Sequence, residues 1–207
     1  MSDAQERSYN NLAPLYCLSS LAAYNFEELF GNNNPVIIEI GFGSGHATAS
    51  IAEDNPELNY LGIEVYRPGI GHLLWEIDKR KLNNIRIIHG DAAEILDNLP
   101  LDAVEGIHIF FPDPWPKKRH HKRRLITRPF TALLKKCLKT NGYIYMVTDW
   151  VDYADWALAE LTATPGLQNK YENFALPQSW RPETRFEKKG LDKKHEIREL
   201  FFIKSEE

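Results

Sequence analysis

Apolar and polar residues come in alternating blocks along this chain of 207 residues. Val36–Ile40, Tyr60–Val65, Ile85–His89, Val104–Phe111 and Tyr143–Thr148 are short, largely apolar runs, the pattern of strands covered on both faces. Helical spacing fills the gaps between them. His46–Glu53, Gly69–Leu82, Ala92–Leu99, Arg124–Leu138 and Val151–Thr162 are predicted helices. Ile70, Leu73, Leu74 and Ile77 lie on one face of the second, and Leu125, Phe130, Leu133, Leu134 and Leu138 mark the fourth. Strand–helix alternation of this kind predicts an α/β fold, a mostly parallel sheet with helices on both faces. Upstream, residues 1–11 are polar and predicted to be mobile, residues 14–30 read as one or two helices, and Gly31-Asn32-Asn33-Asn34-Pro35 ends them. After Pro165-Gly166 the pattern changes. Lys170–Ala175 and Ile197–Lys204 are predicted strands on either side of a charged segment, 177–195, and would close the sheet edge as an antiparallel pair. The expectation is a single domain, with an N-terminal polar arm and helix over 1–35 and the main body over 36–207.

In an open parallel sheet, ligands gather at the carboxyl ends of the strands. Acidic residues of this chain fall there: Glu39, Glu64, Asp91, Asp113 and Asp149 each end or follow a predicted strand. Gly41, Gly43 and Gly45 follow Glu39 and suit a tight turn that lets a ligand approach the backbone. A dinucleotide fingerprint requires glycine at position 46, which is His46 here. An acid before the glycines disfavours a pyrophosphate and suits a cationic ligand, such as the sulfonium and amino group of S-adenosylmethionine. Glu64 is placed to accept ribose hydroxyls. Asp91-Ala92 either meets the adenine edge or, through Asp91, caps the next helix.

A second constellation changes the picture of the substrate. Net charge is −4, yet residues 112–124 hold six Lys/Arg and one Asp, a local +5 that leaves −9 for the rest. A concentrated basic segment on an acidic body is a local footprint for a polyanion. Lys117, Lys118, Arg119, Lys122, Arg123 and Arg124, with His120 and His121, are the candidate phosphate contacts. Prolines 112, 114 and 116 stiffen the loop that carries Asp113. Trp115 either packs on the protein or stacks on a base. The segment from Arg181 to Gly190 mixes a hydroxyl, carboxylates and cations; alone it reads as an exposed linker. The remaining histidines, His72, His89, His108 and His195, show no partner in the sequence. Cys17 and Cys137, 120 positions apart, offer neither a metal-ligand spacing nor a disulfide framework. No apolar stretch approaches the roughly 20 residues of a membrane span, and the first residues lack the pattern of a signal peptide. These features predict a cytoplasmic protein with no metal.

Five segments together resemble the bacterial tRNA (guanine-N7)-methyltransferase family: Glu39-Ile40-Gly41-Phe42-Gly43; Gly62-Ile63-Glu64-Val65; Phe111 to Arg124 with its Asp-Pro-Trp core; Thr148-Asp149-Trp150; and Arg181 to Glu187. The resemblance runs from about residue 36 to the end. It implies a class I, Rossmann-like methyltransferase fold using S-adenosylmethionine, and methylation of N7 of guanine 46 in the tRNA variable loop. It places Glu39, Glu64, Asp91 and Asp113 in the cofactor pocket, where the reading of the residues adds Gly41, Gly43, Gly45 and Ala92. It assigns Lys117, Asp149, Thr184 and Glu187 to the substrate, and makes Asp113 the catalytic candidate. tRNA is the implied partner; no obligate protein partner is evident in the sequence, which leaves monomer and homodimer both open. The chain departs from the family pattern at residues 1–13, which hold one Arg and no Lys where many relatives carry a longer basic arm. Two other classes use some of the same features. A nicotinamide oxidoreductase shares the sheet, against which His46 and the basic loop argue. A non-catalytic RNA-binding protein shares the basic run but has no use for the acids Glu39, Glu64 and Asp113.

Overall fold

The computed structural model describes residues 2–18, 24–183, 187–188 and 195–206. Two compact units are distinguished, residues 1–100 with 180–182, and residues 101–179 with 183–207.

The first unit holds helix α1 (Asp3–Tyr16), strand β1 (Cys17–Leu18), α2 (Phe26–Phe30), β2 (Val36–Ile40), α3 (His46–Asp54), β3 (Asn59–Glu64), α4 (Arg67–Arg80), β4 (Ile85–His89) and α5 (Ala92–Asp97). Its strands run in the order β1-β4-β3-β2 and all pair in parallel. The register sets Glu39 beside Gly62, so Glu64 ends β3 two residues further along. Ile37, Ile38, Leu61 and Ile63 from the strands and Ile70, Leu73, Leu74 and Ile77 of α4 are buried in the core. Full burial of each such side chain contributes about 1.5–3 kcal/mol.

The start of the chain differs from the expectation of a mobile segment. Ser2 and Gln5 form a reciprocal capping box: Gln5 N–H donates to Ser2 Oγ at 3.3 Å, and Ser2 N–H to Gln5 Oε1 at 2.8 Å. None of the α1 side chains is buried, which is why apolar periodicity did not reveal the helix. It docks on α4 through backbone and mixed contacts instead. A Cβ at Gly71 would stand 2.6 Å from the Gln5 carbonyl oxygen, and the Arg67 guanidinium lies 4.3 Å from the Tyr9 ring centroid.

The second unit holds β5 (Val104–Phe110), a 3-10 helix over Lys118–Arg123, α6 (Arg128–Cys137), β6 (Leu138–Thr148), α7 (Val151–Thr162), β7 (Leu167–Asn169) and β8 (Arg198–Lys204). Its strand order is β5-β6-β8-β7; β5 and β6 are parallel, and β8 is antiparallel to both β6 and β7. The expected antiparallel edge pair is therefore present, with its first strand three residues earlier than predicted. Of the predicted strand 170–175, the two end residues reach β8 through the backbone: Lys170 N–H donates to the Phe201 carbonyl at 2.9 Å and Ala175 N–H to that of Glu199 at 2.7 Å. The predicted helix 124–138 begins later, at Arg128, with Pro129 in its first turn, where a missing N–H costs nothing.

Candidate functional site

In the first unit, the turn between β2 and α3 is held in a left-handed backbone at Gly41, Gly43 and Gly45, with φ of 73°, 57° and 70°. At Gly45 space is also short, because a Cβ would fall 2.6 Å from Leu73 Cβ. The first turn of α4 presses on the same loop: a Cβ at Gly69 would lie 1.9 Å from the Gly43 carbonyl oxygen. Glu64 is buried and ties the parts together. Gly43 N–H donates to its Oε2 at 2.7 Å, while Val65 and Tyr66 N–H donate to Oε1 at 2.8 and 2.9 Å. A carboxylate has about four acceptor sites, so capacity for a ligand hydroxyl remains.

Glu39 is almost wholly buried at the end of β2. Burial pushes its carboxyl up to about 7; the nearby Thr48 hydroxyl opposes this and the Glu64 carboxylate adds to it. Neither Glu39 Oε2 nor Thr48 Oγ1 completes a hydrogen bond among the described residues. A buried carboxyl with an orphaned acceptor is stabilised when a cationic donor reaches it. An amino group beside a sulfonium fits that requirement, and the left-handed loop leaves open space at Gly41 and Gly43. Asp91 is exposed and caps α5, accepting the Ala93 N–H at 2.8 Å; Ala92 is the first residue of that helix.

The histidines of this unit have structural partners. His46 Nδ1 lies 3.2 Å from Glu76 Oε1, His72 Nδ1 lies 2.8 Å from the Ser44 carbonyl oxygen, and His89 Nε2 lies 3.1 Å from that of Val65.

In the second unit, Phe111 and Trp115 bracket Asp113 and both adopt left-handed φ, 51° and 45°. Such values are strained for bulky side chains and concentrate at functional sites. Phe111 N–H donates to the Val147 carbonyl at 2.8 Å, pinning the loop where it leaves β5. Asp113 itself is exposed. Trp115 is half-buried, with the Arg123 guanidinium 4.9 Å from its ring centroid and His120 edge-on at 6.0 Å. It packs beneath the basic helix.

The three-residue period of the 3-10 helix sends His121 and Arg124 inward. The His121 ring stands 5.8 Å from Trp156 of α7. Arg124 is buried: Nε donates to the Pro114 carbonyl at 3.0 Å, the guanidinium pairs with Asp152, and it lies 5.1 Å and 5.2 Å from the Tyr153 and Trp156 rings. The hydrogen bond from Arg124 holds the Asp152 carboxyl below the usual carboxylate range. The expectation that Arg124 grips phosphate is corrected here, since its guanidinium is buried and holds Pro114 and Asp152. Lys117, Lys118, Arg119, Lys122 and Arg123 remain exposed, and His120 half-exposed, as a cationic ridge.

Asp149 follows β6 and is half-buried; its Oδ2 accepts from His195 Nδ1 at 3.2 Å. Glu187 is buried, and Thr184 lies outside the described residues. His108 is buried beside Tyr143, 2.9 Å from its hydroxyl, and burial pushes it down to about 3, so it stays neutral. The pairs Arg124–Asp152 and His195–Asp149 are 28 and 46 residues apart in sequence. No spacing rule links them, although the three-residue period of a 3-10 helix, had it been foreseen, would have separated Arg124 from its neighbours.

Residues 33–200 match the model of a family described as putative methyltransferase. A tRNA (guanine-N(7)-)-methyltransferase of Dechloromonas aromatica (strain RCB) is 44% identical over 208 residues, covering all of this chain and 85% of that one. Among solved structures, the 16S rRNA methyltransferase KamB aligns with a TM-score of 0.65 at 15% identity, covering 87% of this chain and 93% of that one. Geranyl diphosphate C-methyltransferase from Streptomyces coelicolor A3(2), solved with Mg2+, geranyl-S-thiolodiphosphate and S-adenosyl-L-homocysteine, aligns with a TM-score of 0.57 at 11% identity, covering 83% and 70%. At such identities these likenesses show the fold alone, that of a class I methyltransferase.

Proposed function

The chain belongs to the tRNA (guanine-N7)-methyltransferase family, and from that membership we propose that it transfers a methyl group from S-adenosylmethionine to N7 of guanine 46 in the tRNA variable loop. The observation that carries the cofactor half of the reading is Glu39, a buried carboxyl near neutrality with an orphaned oxygen, at the mouth of a left-handed glycine turn. The cofactor supplies an electrophilic methyl on a sulfonium. Glu39 receives its amino group, Glu64 its ribose hydroxyls, and the turn at Gly41, Gly43 and Gly45 lies against it. Asp91, through the oxygen not used as a cap, and Ala92 meet the adenine.

N7 of neutral guanine carries a lone pair and no proton, so no strong base is needed to free the nucleophile. Rate enhancement then rests on positioning and electrostatics. Asp113, held on a strained and proline-stiffened loop, is oriented before the substrate arrives. Its carboxylate stabilises the positive charge that develops on the purine. Asp149, with Thr184, Glu187 and Lys117, holds the guanine by its N1–H and amino group and fixes its backbone. Lys118, Arg119, Lys122 and Arg123, with His120, grip phosphates; that contact positions the tRNA without reading its sequence. The N7 edge must be exposed for attack, so a tertiary contact of the tRNA opens on binding. Among the described residues no helix is long and apolar enough to cross a membrane. From the tRNA substrate we infer a cytoplasmic enzyme, and we propose that it works as a monomer or homodimer without an obligate protein partner.

The test is transfer of tritiated methyl from S-adenosylmethionine to unmodified tRNA, followed by cleavage selective for N7-methylguanine. Label at guanine 46 is expected, and a transcript with adenine at that position should take none. Label at another nucleotide would overturn the assignment of position.

A further inference from the structure

We propose that His195 is a positioning residue for methyl transfer: its Nδ1–H pins Asp149 Oδ2 so that the other carboxylate oxygen faces the guanine. The inference rests on the reading of Asp149 as a base-holding residue. An aspartate carboxylate turns broadly about its last torsion unless something fixes it. Here the fixing donor comes from a part of the chain 46 residues away, 3.2 Å from Oδ2. The imidazole is itself held, because the Trp150 ring stands edge-on to it, with centroids 6.2 Å apart and planes at 81°. The adjacent Glu196 is engaged elsewhere: it accepts from Arg198 at 3.1 Å, and Arg198 also reaches Asp155 at 3.0 Å.

Both partners keep partial exposure, 33% for the His195 side chain and 29% for that of Asp149. They are enclosed enough to hold a geometry and open enough to meet a base. The bond needs only a proton on Nδ1, so the neutral tautomer with a bare Nε2 serves as well as the cation. A carboxylate held within about 10–20° of its working orientation stabilises a transition state without reorganising.

The experiment compares single-turnover methylation at saturating tRNA and cofactor for Asp149→Ala, His195→Ala, His195→Asn, His195→Gln and the double alanine variant. The Asn amide nitrogen falls where Nδ1 lies; the Gln amide extends toward the Nε2 position. His195→Ala is expected to slow the step by about tenfold to a hundredfold while tRNA and cofactor affinities stay within about threefold, below 1 kcal/mol. His195→Asn should recover most of the rate and His195→Gln little of it. The double variant should be no slower than Asp149→Ala alone, since a residue acting through Asp149 has nothing left to act on. A wild-type rate for His195→Ala beside a slow Asp149→Ala would overturn the proposal and leave the role of Asp149 intact. Equal rescue by Asn and Gln, or additive losses in the double variant, would overturn it too. A wild-type rate for Asp149→Ala would instead remove the reading on which it rests. If the alanine variant is poorly folded, the Asn–Gln contrast decides alone.

Discussion

The Gly43 backbone N–H donates to Glu64 Oε2 at 2.7 Å, so the acid at the end of β3 closes the glycine turn at the end of β2. Under the proposed function Glu64 has two tasks that can be tested apart: accepting the ribose hydroxyls and holding the loop, and only the second is seen in its hydrogen bonds to Gly43, Val65 and Tyr66.

Glu64→Ala should weaken S-adenosylmethionine binding by about tenfold to a hundredfold, the equivalent of one charge-assisted hydrogen bond worth roughly 1.5–3 kcal/mol. It should also lower the melting temperature, because three backbone donors lose their acceptor. Calorimetry and thermal unfolding read the two effects separately. Unchanged affinity in a folded variant would remove the ribose role.

Glu39 gives a pH signature. Burial pushes its carboxyl from 4.5 to about 7 in the fold. Below pH 4.5 folded and unfolded chains both hold the proton, and the stability linked to this group is fully present. Between about 4.5 and 7 only the folded chain holds it, so this contribution falls by about 1.4 kcal/mol per pH unit and is lost above 7. Glu39→Gln should match the wild type in urea unfolding at pH 4 and exceed it by about 2–4 kcal/mol at pH 8. Cofactor affinity should move oppositely, rising with pH in the wild type and remaining flat in the variant. Parallel stability curves would show that the carboxyl titrates normally.

Arg119→Ala with Lys122→Ala should weaken tRNA binding and flatten the slope of log affinity against log salt by about one unit per lost phosphate contact. Arg124→Ala should leave that slope alone and destabilise the fold, by about 1.5–3 kcal/mol for its lost charge-assisted bonds. A changed salt slope in a folded Arg124→Ala would place that guanidinium on the RNA after all.

Asp113→Asn keeps size and hydrogen bonding but removes the charge facing a cationic purine. Single-turnover methylation should slow by about 10²–10³, the usual loss for one preorganised electrostatic partner. tRNA affinity should stay within about threefold, since an isolated carboxylate has no attraction for phosphate. A wild-type rate at saturating tRNA would make Asp113 a loop-shaping residue only.

The sequence by itself determined the strand–helix alternation, because buried parallel strands must be apolar throughout and α4 must show its 3.6-residue stripe at Ile70, Leu73, Leu74 and Ile77. It also placed acids at the strand ends and glycines in the turn after β2, since those demands are local to a few residues. It did not reveal α1, whose polar helix docks by backbone approach at Gly71 rather than by an apolar face. Nor could it divide the cations of residues 117–124. Six like charges look equivalent along a chain, and only the turn of a 3-10 helix over α7 turned Arg124 inward to Asp152 while leaving Arg119 and Lys122 in water. The meeting of His195 with Asp149 belongs to the same class of fact. Pairing between side chains far apart in sequence is set by where the strands bring their ends, and that is decided by packing of the whole fold rather than by any local pattern.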